Sequence, residues 1–142
     1  MGRDPRRFDE GCVYHLTAHG IDHRPIFRTD VDRQDFVIRL HRVARVHRWE
    51  LYAYCLMDTH YHALVEPGRI SDGMRVLNGG YSRAFNARHG RRGALFESRF
   101  ADREIRDERH LAETIRYIEF NPVTAGIVTD IDDWPWRSRN GV

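Results

Sequence analysis

The chain has 142 residues, of which 41% are hydrophobic, and it carries a formal net charge of +2. This apolar content suits one domain with a single core, and no apolar run approaches the roughly 18 residues of a membrane-spanning helix. The small net charge does not by itself indicate a nucleic-acid partner. Cys12 and Cys55 lack a CxxC spacing, which argues against a disulfide framework. With no charged-then-apolar leader, we expect a cytoplasmic protein without a membrane partner.

Hydrophobic periodicity predicts alternating strands and helices in one domain, residues 1–142, with a basic N-terminal arm (1–10) and a C-terminal tail (129–142). The expected elements are, in chain order, a strand over 13–19, a helix from 30 to about 48, strands over 49–56 and 60–66, a helix over 71–88, a strand over 99–105 and a last helix from 111 that ends at Pro122. Asp30 or Asp32 is the expected cap of the first helix. The order β-α-β-β-α-β-α predicts a ferredoxin-like α+β sandwich with an antiparallel sheet, in which helices cover one face and the other can meet a ligand.

His60 and His62 stand one residue apart in an apolar segment. Residues i and i+2 of a strand project from the same face, so the two imidazoles are expected side by side. A core strand gains nothing from two adjacent titratable rings, since each must be desolvated and hydrogen-bonded. The pair therefore indicates a two-ligand metal site, and a strand whose histidines are merely hydrogen-bonded is the alternative.

Tyr117 and Asn121 are four residues apart on the last predicted helix, so they share a face. His60, His62 and Asn121 would form a mixed nitrogen and oxygen ligand set suited to Mg²⁺ or Mn²⁺. Tyr117 is the candidate nucleophile beside that set. The alternative interpretation is that Asn121 and Pro122 only stop a helix.

Four other residues are considered for the site. Tyr81 is rejected as the nucleophile because its i+4 partner is Phe85, which favours a core or base-stacking role. His19, on a predicted central strand, is left unassigned. Glu66 and Glu119 are interpreted either as extra oxygen ligands or as surface charges.

Basic residues cluster along the chain, most densely near residues 83–103. There, glycines and arginines alternate with Phe85, Phe96 and Phe100, which is typical of a segment that follows a nucleic-acid backbone and offers rings to unpaired bases. The predicted DNA-binding residues are Arg83, Arg88, Arg91, Arg92, Arg99 and Arg103.

These motifs together resemble a known family. His60-Tyr-His62, followed about fifty residues later by a helical Tyr-Ile-x-x-Asn-Pro, is similar to the single-tyrosine HUH transposases of the insertion-sequence-200-like group. The segments 85–100, 121–128 and 134–138 resemble the REP-associated tyrosine transposase branch most closely. The similarity spans residues 13–138.

The resemblance implies the same ferredoxin-like fold and a metal-assisted transesterification on DNA. Tyr117 would form a 5′-phosphotyrosine bond, while His60, His62 and Asn121 would hold Mg²⁺ or Mn²⁺. The expected substrate is single-stranded or hairpin DNA, such as repetitive extragenic palindromes, and the protein would act as a monomer or homodimer.

Two interpretations from other classes stay open. The first is a catalytically silent nucleic-acid-binding module, such as a domesticated regulator, which would bind DNA without forming a covalent adduct. The second is a small structural protein in which His60, His62 and a third group hold zinc for folding.

Overall fold

The structure, a computed structural model, describes residues 8–9, 11–97 and 99–139. The strands and α-helices are, in chain order, β1 (Tyr14–His19), α1 (Asp30–Val46), β2 (Glu50–Leu56), β3 (His60–Glu66), α2 (Ile70–His89), β4 (Ala101–Glu104) and α3 (Glu108–Thr124). This order confirms the predicted fold class. Most of the expected N-terminal arm lies outside the described residues.

The four strands form one antiparallel sheet in the order β2-β3-β1-β4. The two central strands, β1 and β3, pair so that Thr17 lies opposite His62 and His19 lies opposite His60. The predicted hairpin joins β2 to β3 through residues 57–59, which include the expected turn at 58–59. This register places the histidine pair of β3 against polar residues of β1.

Strand alternation divides the sheet into two faces. Tyr61, between the two histidines of β3, is fully buried against Phe36 of α1, with ring centroids 4.5 Å apart. Tyr81 and Phe85 of α2 complete this aromatic core. The opposite face packs a smaller cluster of β2 and β3 side chains against Ile118 of α3. Helix α3 packs mainly against β2, so the polar side chains of β1 and β3 on this face stay accessible next to the helix.

The cap of α1 differs from the prediction. Thr29, not Asp30 or Asp32, is the N-cap residue: its hydroxyl accepts a hydrogen bond from the N–H of Asp32 at 3.2 Å. The carboxylate of Asp32 accepts in return from the Thr29 N–H, also at 3.2 Å. This reciprocal capping box satisfies two N–H groups that the first turn leaves unpaired.

The end of α3 also differs from the prediction, because the helix continues through Pro122 to Thr124. Gly126 ends it with a φ of +75°. The Gly126 N–H donates to the Val123 carbonyl at 3.0 Å, and the Ile127 N–H donates to the Pro122 carbonyl at 2.9 Å. These two bonds form a Schellman motif, which stops a helix at a left-handed residue. A proline disrupts the hydrogen-bond ladder at one position, and α3 continues for two residues beyond it.

The C-terminal tail covers the outer edge of β2. The Leu56 N–H donates to the Trp136 carbonyl and the Ser138 N–H to the Tyr54 carbonyl, each at 2.9 Å. The indole N–H of Trp134 donates to the Leu56 carbonyl at 3.0 Å. The tail thus protects backbone groups that an edge strand otherwise leaves unpaired. Within the described part of the chain, none of the helices has the length and apolar character needed to cross a membrane.

Candidate active site

An open groove of about 610 Å³ lies between α3 and the uncovered part of the sheet. His60 and His62 from β3 and Tyr117 and Asn121 from α3 all line it. The structure therefore brings together the four residues that the sequence nominates as metal ligands and nucleophile. Their chemical roles stay predictions at this point.

The sheet register adds two more imidazoles to the groove. His15 and His19 of β1 share its polar face with Thr17, since alternate strand residues project together. The rings of His19 and His60 stack with centroids 4.9 Å apart and planes 19° apart. The centroids of His15 and His62 are 5.0 Å apart, as are those of His60 and His62. Four imidazoles thus line one face of the two central strands.

The two nitrogens of His62 have different surroundings. Its Nδ1 lies 2.8 Å from Nε2 of His15 and 3.3 Å from the hydroxyl of Thr17. Its Nε2 is buried and has no hydrogen-bond partner among the described residues. His60 uses its Nδ1 toward the Thr59 hydroxyl, at 3.1 Å. In both rings, therefore, Nδ1 is engaged by the protein.

Burial lowers the pKa of three of the four imidazoles, those of His15, His60 and His62, so these three are neutral near pH 7. It lowers the pKa of His62 to about 3, and repulsion from the other three imidazoles adds to the effect. Burial, followed by repulsion from His19, lowers the pKa of His60 to about 4. Burial also lowers the pKa of His15 to about 4, with Arg103 and His110 acting in the same direction. A neutral imidazole keeps a lone pair on one nitrogen, as a metal ligand must.

Tyr117 and Asn121 differ in exposure although they share one face of α3. The Tyr117 side chain is 53% exposed, and its ring centroid is 5.9 Å from that of His62. Asn121 is buried, one turn further along the helix. The tyrosine can therefore meet a large substrate, while the amide is held inside the groove.

The residues present fit a divalent cation. The buried Nε2 of His62, with no partner in the protein, is a polar atom that a cation would satisfy. His60 and His62 offer imidazole nitrogens and Asn121 offers an amide oxygen. Hydrogen bonds at Nδ1 of both histidines are the usual way in which a protein orients metal-binding rings.

Sequence reasoning missed or left unassigned several groove residues, among them His15, Thr17 and His19 of β1. Their spacing of two on β1 is a usable signal, because the same rule that pairs His60 with His62 pairs these three. What the sequence lacked was the register that places β1 directly beside β3. Only with that pairing does His15 become a neighbour of His62.

The other candidates lie elsewhere. Glu119 is buried on the far side of α3, where its carboxylate accepts a hydrogen bond from the Ser138 hydroxyl at 2.7 Å. Glu66 lies opposite Glu50 at the distant end of β3. Tyr81 is fully buried and its hydroxyl donates to the Ile26 carbonyl, which agrees with its rejection as a nucleophile.

The six nominated arginines have unequal surroundings. Arg88 forms ion pairs with the buried Asp32, at 2.8 Å, and with Asp35, at 3.0 Å. Arg91 donates to the Asn86 side chain of α2 and to two carbonyls of its own loop, including that of Ala94 at 2.8 Å. Arg83, Arg92 and Arg103 are exposed, Arg103 in the groove itself, and Arg99 is half-buried. Because the guanidinium groups of Arg88 and Arg91 are engaged within the protein, Arg83, Arg92 and Arg103 are better placed for a phosphate backbone.

The expectation that nearby phenylalanines offer rings to bases is wrong for Phe85, which is fully buried in the core. Phe96 and Phe100 are partly buried against the same core. The aromatic spacing in this segment reflects packing beneath a basic loop.

A separate group of potential ligand atoms lies outside the groove. Atoms of Asp9, Cys12 and Glu104 are all within 4.8 Å of one another. A hydrogen bond to Glu104, followed by burial, raises the pKa of the Cys12 thiol, so this cysteine is held protonated. A protonated thiol is a poor metal ligand.

A family model described as "Transposase IS200 like" matches residues 9–121. A Haemophilus influenzae protein named "Putative REP-associated tyrosine transposase" is 26% identical over 151 residues, which cover 97% of this chain and 85% of the relative.

Two solved structures are similar. A REP-associated tyrosine transposase bound to a REP hairpin has a TM-score of 0.77 at 23% identity, covering 96% of this chain and 82% of that one. A protein described as a "putative transposase" from Deinococcus radiodurans R1 has a TM-score of 0.55 at 20% identity, covering 84% and 95% of the two chains. At these identities, the likeness is one of fold.

Proposed function

Because the chain belongs to the IS200-like transposase family, we propose that it is a metal-dependent endonuclease and strand transferase for single-stranded DNA. Family membership agrees with the resemblance read from the motifs, including the REP-associated branch. The proposed substrate is a DNA hairpin of the repetitive extragenic palindrome type, since the structural relative is bound to a REP hairpin.

One juxtaposition carries this proposal. The exposed ring of Tyr117 lies 5.9 Å from the ring of His62, whose buried Nε2 lacks a partner among the described residues. A nucleophile open to solvent beside an unsatisfied ligand atom is the arrangement that phosphoryl transfer needs, because that reaction depends on positioning and charge stabilisation.

The proposed step is a transesterification. The Tyr117 oxygen attacks the phosphorus of a DNA phosphodiester and forms a bond to it, and the bond from phosphorus to the 3′ oxygen breaks. The tyrosine proton is replaced by phosphorus, and the departing 3′ oxygen takes up a proton to become a hydroxyl. The 5′ end stays attached to Tyr117, so a 3′-hydroxyl can later reverse the step and rejoin DNA.

His60, His62 and Asn121 would hold Mg²⁺ or Mn²⁺ beside this tyrosine. Held there, such a cation would neutralise charge on the phosphoryl oxygens. The protein's own residues supply the geometry: α3 presents Tyr117 one turn from Asn121, and the strand pairing fixes both imidazoles.

The groove favours an unpaired strand. It is open to solvent, and Arg103 lines it as a cation for the phosphate backbone. A regular duplex keeps its phosphates on the outside of a wide cylinder, whereas a single strand can lie along the groove.

The test is covalent capture of DNA. Wild-type protein is incubated with hairpin oligonucleotides that carry single-stranded flanks, labelled at the 5′ or 3′ end, in Mn²⁺ or Mg²⁺. We expect a protein-linked band carrying the 3′ fragment on a denaturing gel, lost in EDTA and lost in Tyr117→Phe. Tyr52→Phe, which removes a hydroxyl outside the groove, is the matched control and should retain the band.

Two results would overturn this proposal. If oligonucleotides bind but no adduct forms on any hairpin, the protein is the silent binding module. If an adduct persists in Tyr117→Phe, another residue is the nucleophile.

A further inference from the structure

His15 is the groove residue in closest polar contact with the proposed cation ligands. Its Nε2 lies 2.8 Å from Nδ1 of His62, and the two rings are tilted by 41°. Thr17, directly opposite His62 in the sheet, places its hydroxyl 3.3 Å from the same nitrogen. The short contact to His15 therefore dominates the surroundings of Nδ1.

Only one hydrogen can lie between the two imidazole nitrogens. A neutral histidine has one N–H, so either His62 donates from Nδ1 or it accepts there and carries its hydrogen on Nε2. In the second case a buried N–H would have no acceptor among the described residues. Such a donor is costly, whereas His15 is half-buried and its other nitrogen is not among the buried atoms that lack a partner.

We propose that His15 is a positioning residue that holds His62 as the Nδ1–H tautomer, so that the Nε2 lone pair is available to a divalent cation. This inference rests on the proposed function for the identity of the ligand, but the tautomer itself is a property of the protein without metal or DNA. Metal-binding histidines are commonly oriented by a hydrogen bond at the other ring nitrogen. Here the acceptor is a second histidine from the neighbouring strand.

The tautomer is measured by NMR on protein labelled with ¹⁵N-histidine, free of metal and DNA. Long-range ¹H–¹⁵N spectra distinguish a protonated ring nitrogen from one with a lone pair. We expect His62 of the wild type to show protonated Nδ1 and unprotonated Nε2. In His15→Phe we expect Nε2 protonation to appear, whereas His15→Gln, which retains a carbonyl acceptor, should restore the wild-type pattern. Thr17→Val leaves the shorter hydrogen bond to His15 in place, so it should also show the wild-type protonation pattern.

Cation affinity is the second readout. Titration of Mn²⁺ followed by electron paramagnetic resonance should show binding weakened about 10–100-fold in His15→Phe, the range typical of lost orienting partners. His15→Gln should stay near the wild type. His41→Phe, at an exposed position on α1, is the matched loss of a histidine outside the groove and should change neither readout.

The inference fails if wild-type His62 carries its hydrogen on Nε2, or if His15→Phe leaves both the tautomer and Mn²⁺ affinity unchanged. These failures are separate from failure of the proposed function. The expected tautomer without any DNA adduct would reject only the catalytic proposal, and an adduct with the opposite tautomer would reject only the role of His15.

Discussion

The two faces of strand β3 have different roles: one contributes to the hydrophobic core and the other to the candidate active site. On β3, Tyr61 points to α1 and α2, is fully buried and lies against Phe36, whereas His60 and His62 point to the groove. The first face buries large apolar rings, and the second buries polar rings whose lone pairs and hydrogens must be placed. Substitutions on the two faces should therefore fail in different ways.

The face covered by α1 and α2 also contains a buried charge, the carboxylate of Asp32, but that charge is paired. Buried Asp32 accepts hydrogen bonds from Arg88, from His89 and from the N–H groups of Arg28 and Thr29. In the groove, by contrast, Nε2 of His62 has no partner among the described residues. The Nε of Arg33 on α1 also lacks a partner among those residues, but the other two nitrogens of that guanidinium are paired with Asp30 and Asp58. His62 differs because its unpartnered nitrogen belongs to a residue that lines an open groove, where an ion can satisfy it.

Removal of a core ring should have the largest effect on stability. Phe36→Ala deletes a fully buried side chain that contacts the rings of Phe27, Tyr61 and Tyr81. We expect a loss of about 3–5 kcal/mol of unfolding free energy. Urea unfolding monitored by circular dichroism measures it. A cost under about 1 kcal/mol would contradict the assignment of this face as the main core.

Arg88 and Arg92 form a matched pair that separates stability from DNA binding. Arg88→Ala removes a partner of buried Asp32 and should cost about 2–3 kcal/mol, less than a wholly buried pair because His89 and two N–H groups still bind the carboxylate. Arg92→Ala, at an exposed loop position, should leave stability unchanged and weaken binding of single-stranded DNA.

Urea unfolding and fluorescence anisotropy with a labelled oligonucleotide measure the two effects. Equal loss of DNA affinity in both variants, with stability intact in both, would show that Arg88 acts on DNA despite its ion pairs. Loss of stability in Arg92→Ala would show a contact that its exposure does not suggest.

The groove should make the protein sensitive to mild acid. The pKa values of about 3 for His62 and about 4 for His15 and His60 lie below the value near 6.5 of an unfolded histidine. Between these values the unfolded chain binds more protons, so this contribution to stability is present above about pH 6.5 and is lost as the pH falls toward 4.

We expect the unfolding free energy to fall by about 2 kcal/mol between pH 7 and 6, because each of the three histidines contributes about 0.7 kcal/mol over that interval. Urea titrations in EDTA at several pH values measure it. The double variant His15→Phe/His62→Phe should show a smaller fall, and His41→Phe should match the wild type. If the difference in unfolding free energy between the wild type and the double variant does not change with pH, burial of these histidines is not the cause.

The sequence was sufficient for element order because apolar spacing is local, and β3 was predicted with its observed bounds. It also predicted that His60, His62, Tyr117 and Asn121 lie in one groove. The i, i+2 rule for strands pairs the histidines, the i, i+4 rule for helices pairs Tyr117 with Asn121, and the family resemblance joins the two pairs. The role of His15 could not be predicted in the same way, because its contact with His62 joins residues 47 apart and depends on strand register. Burial of Phe85 was equally non-local.

The cap of α1 and the end of α3 were also not predicted correctly, because they too depend on the folded backbone and not on local sequence alone. Thr29 and Asp32 cap α1 together, yet the sequence offers several acceptable caps within three residues, and only the backbone conformation selects one. For α3, the familiar stop signal at Pro122 was outweighed by Gly126, because that glycine adopts a left-handed conformation at little cost.

The smallest predicted effect tests that helix end. Gly126→Ala forces a β-carbon into a conformation with φ of +75°, which costs about 1 kcal/mol for an L-residue. Gly126→Asn should cost less, because asparagine tolerates this region better, and urea unfolding should rank the three proteins in that order. Because Gly126 lies more than two turns beyond Tyr117, adduct formation should match the wild type wherever the variant is folded. Equal stability in all three would show that α3 does not depend on its Schellman motif, while lost adduct at full stability would show that the helix end positions the tyrosine.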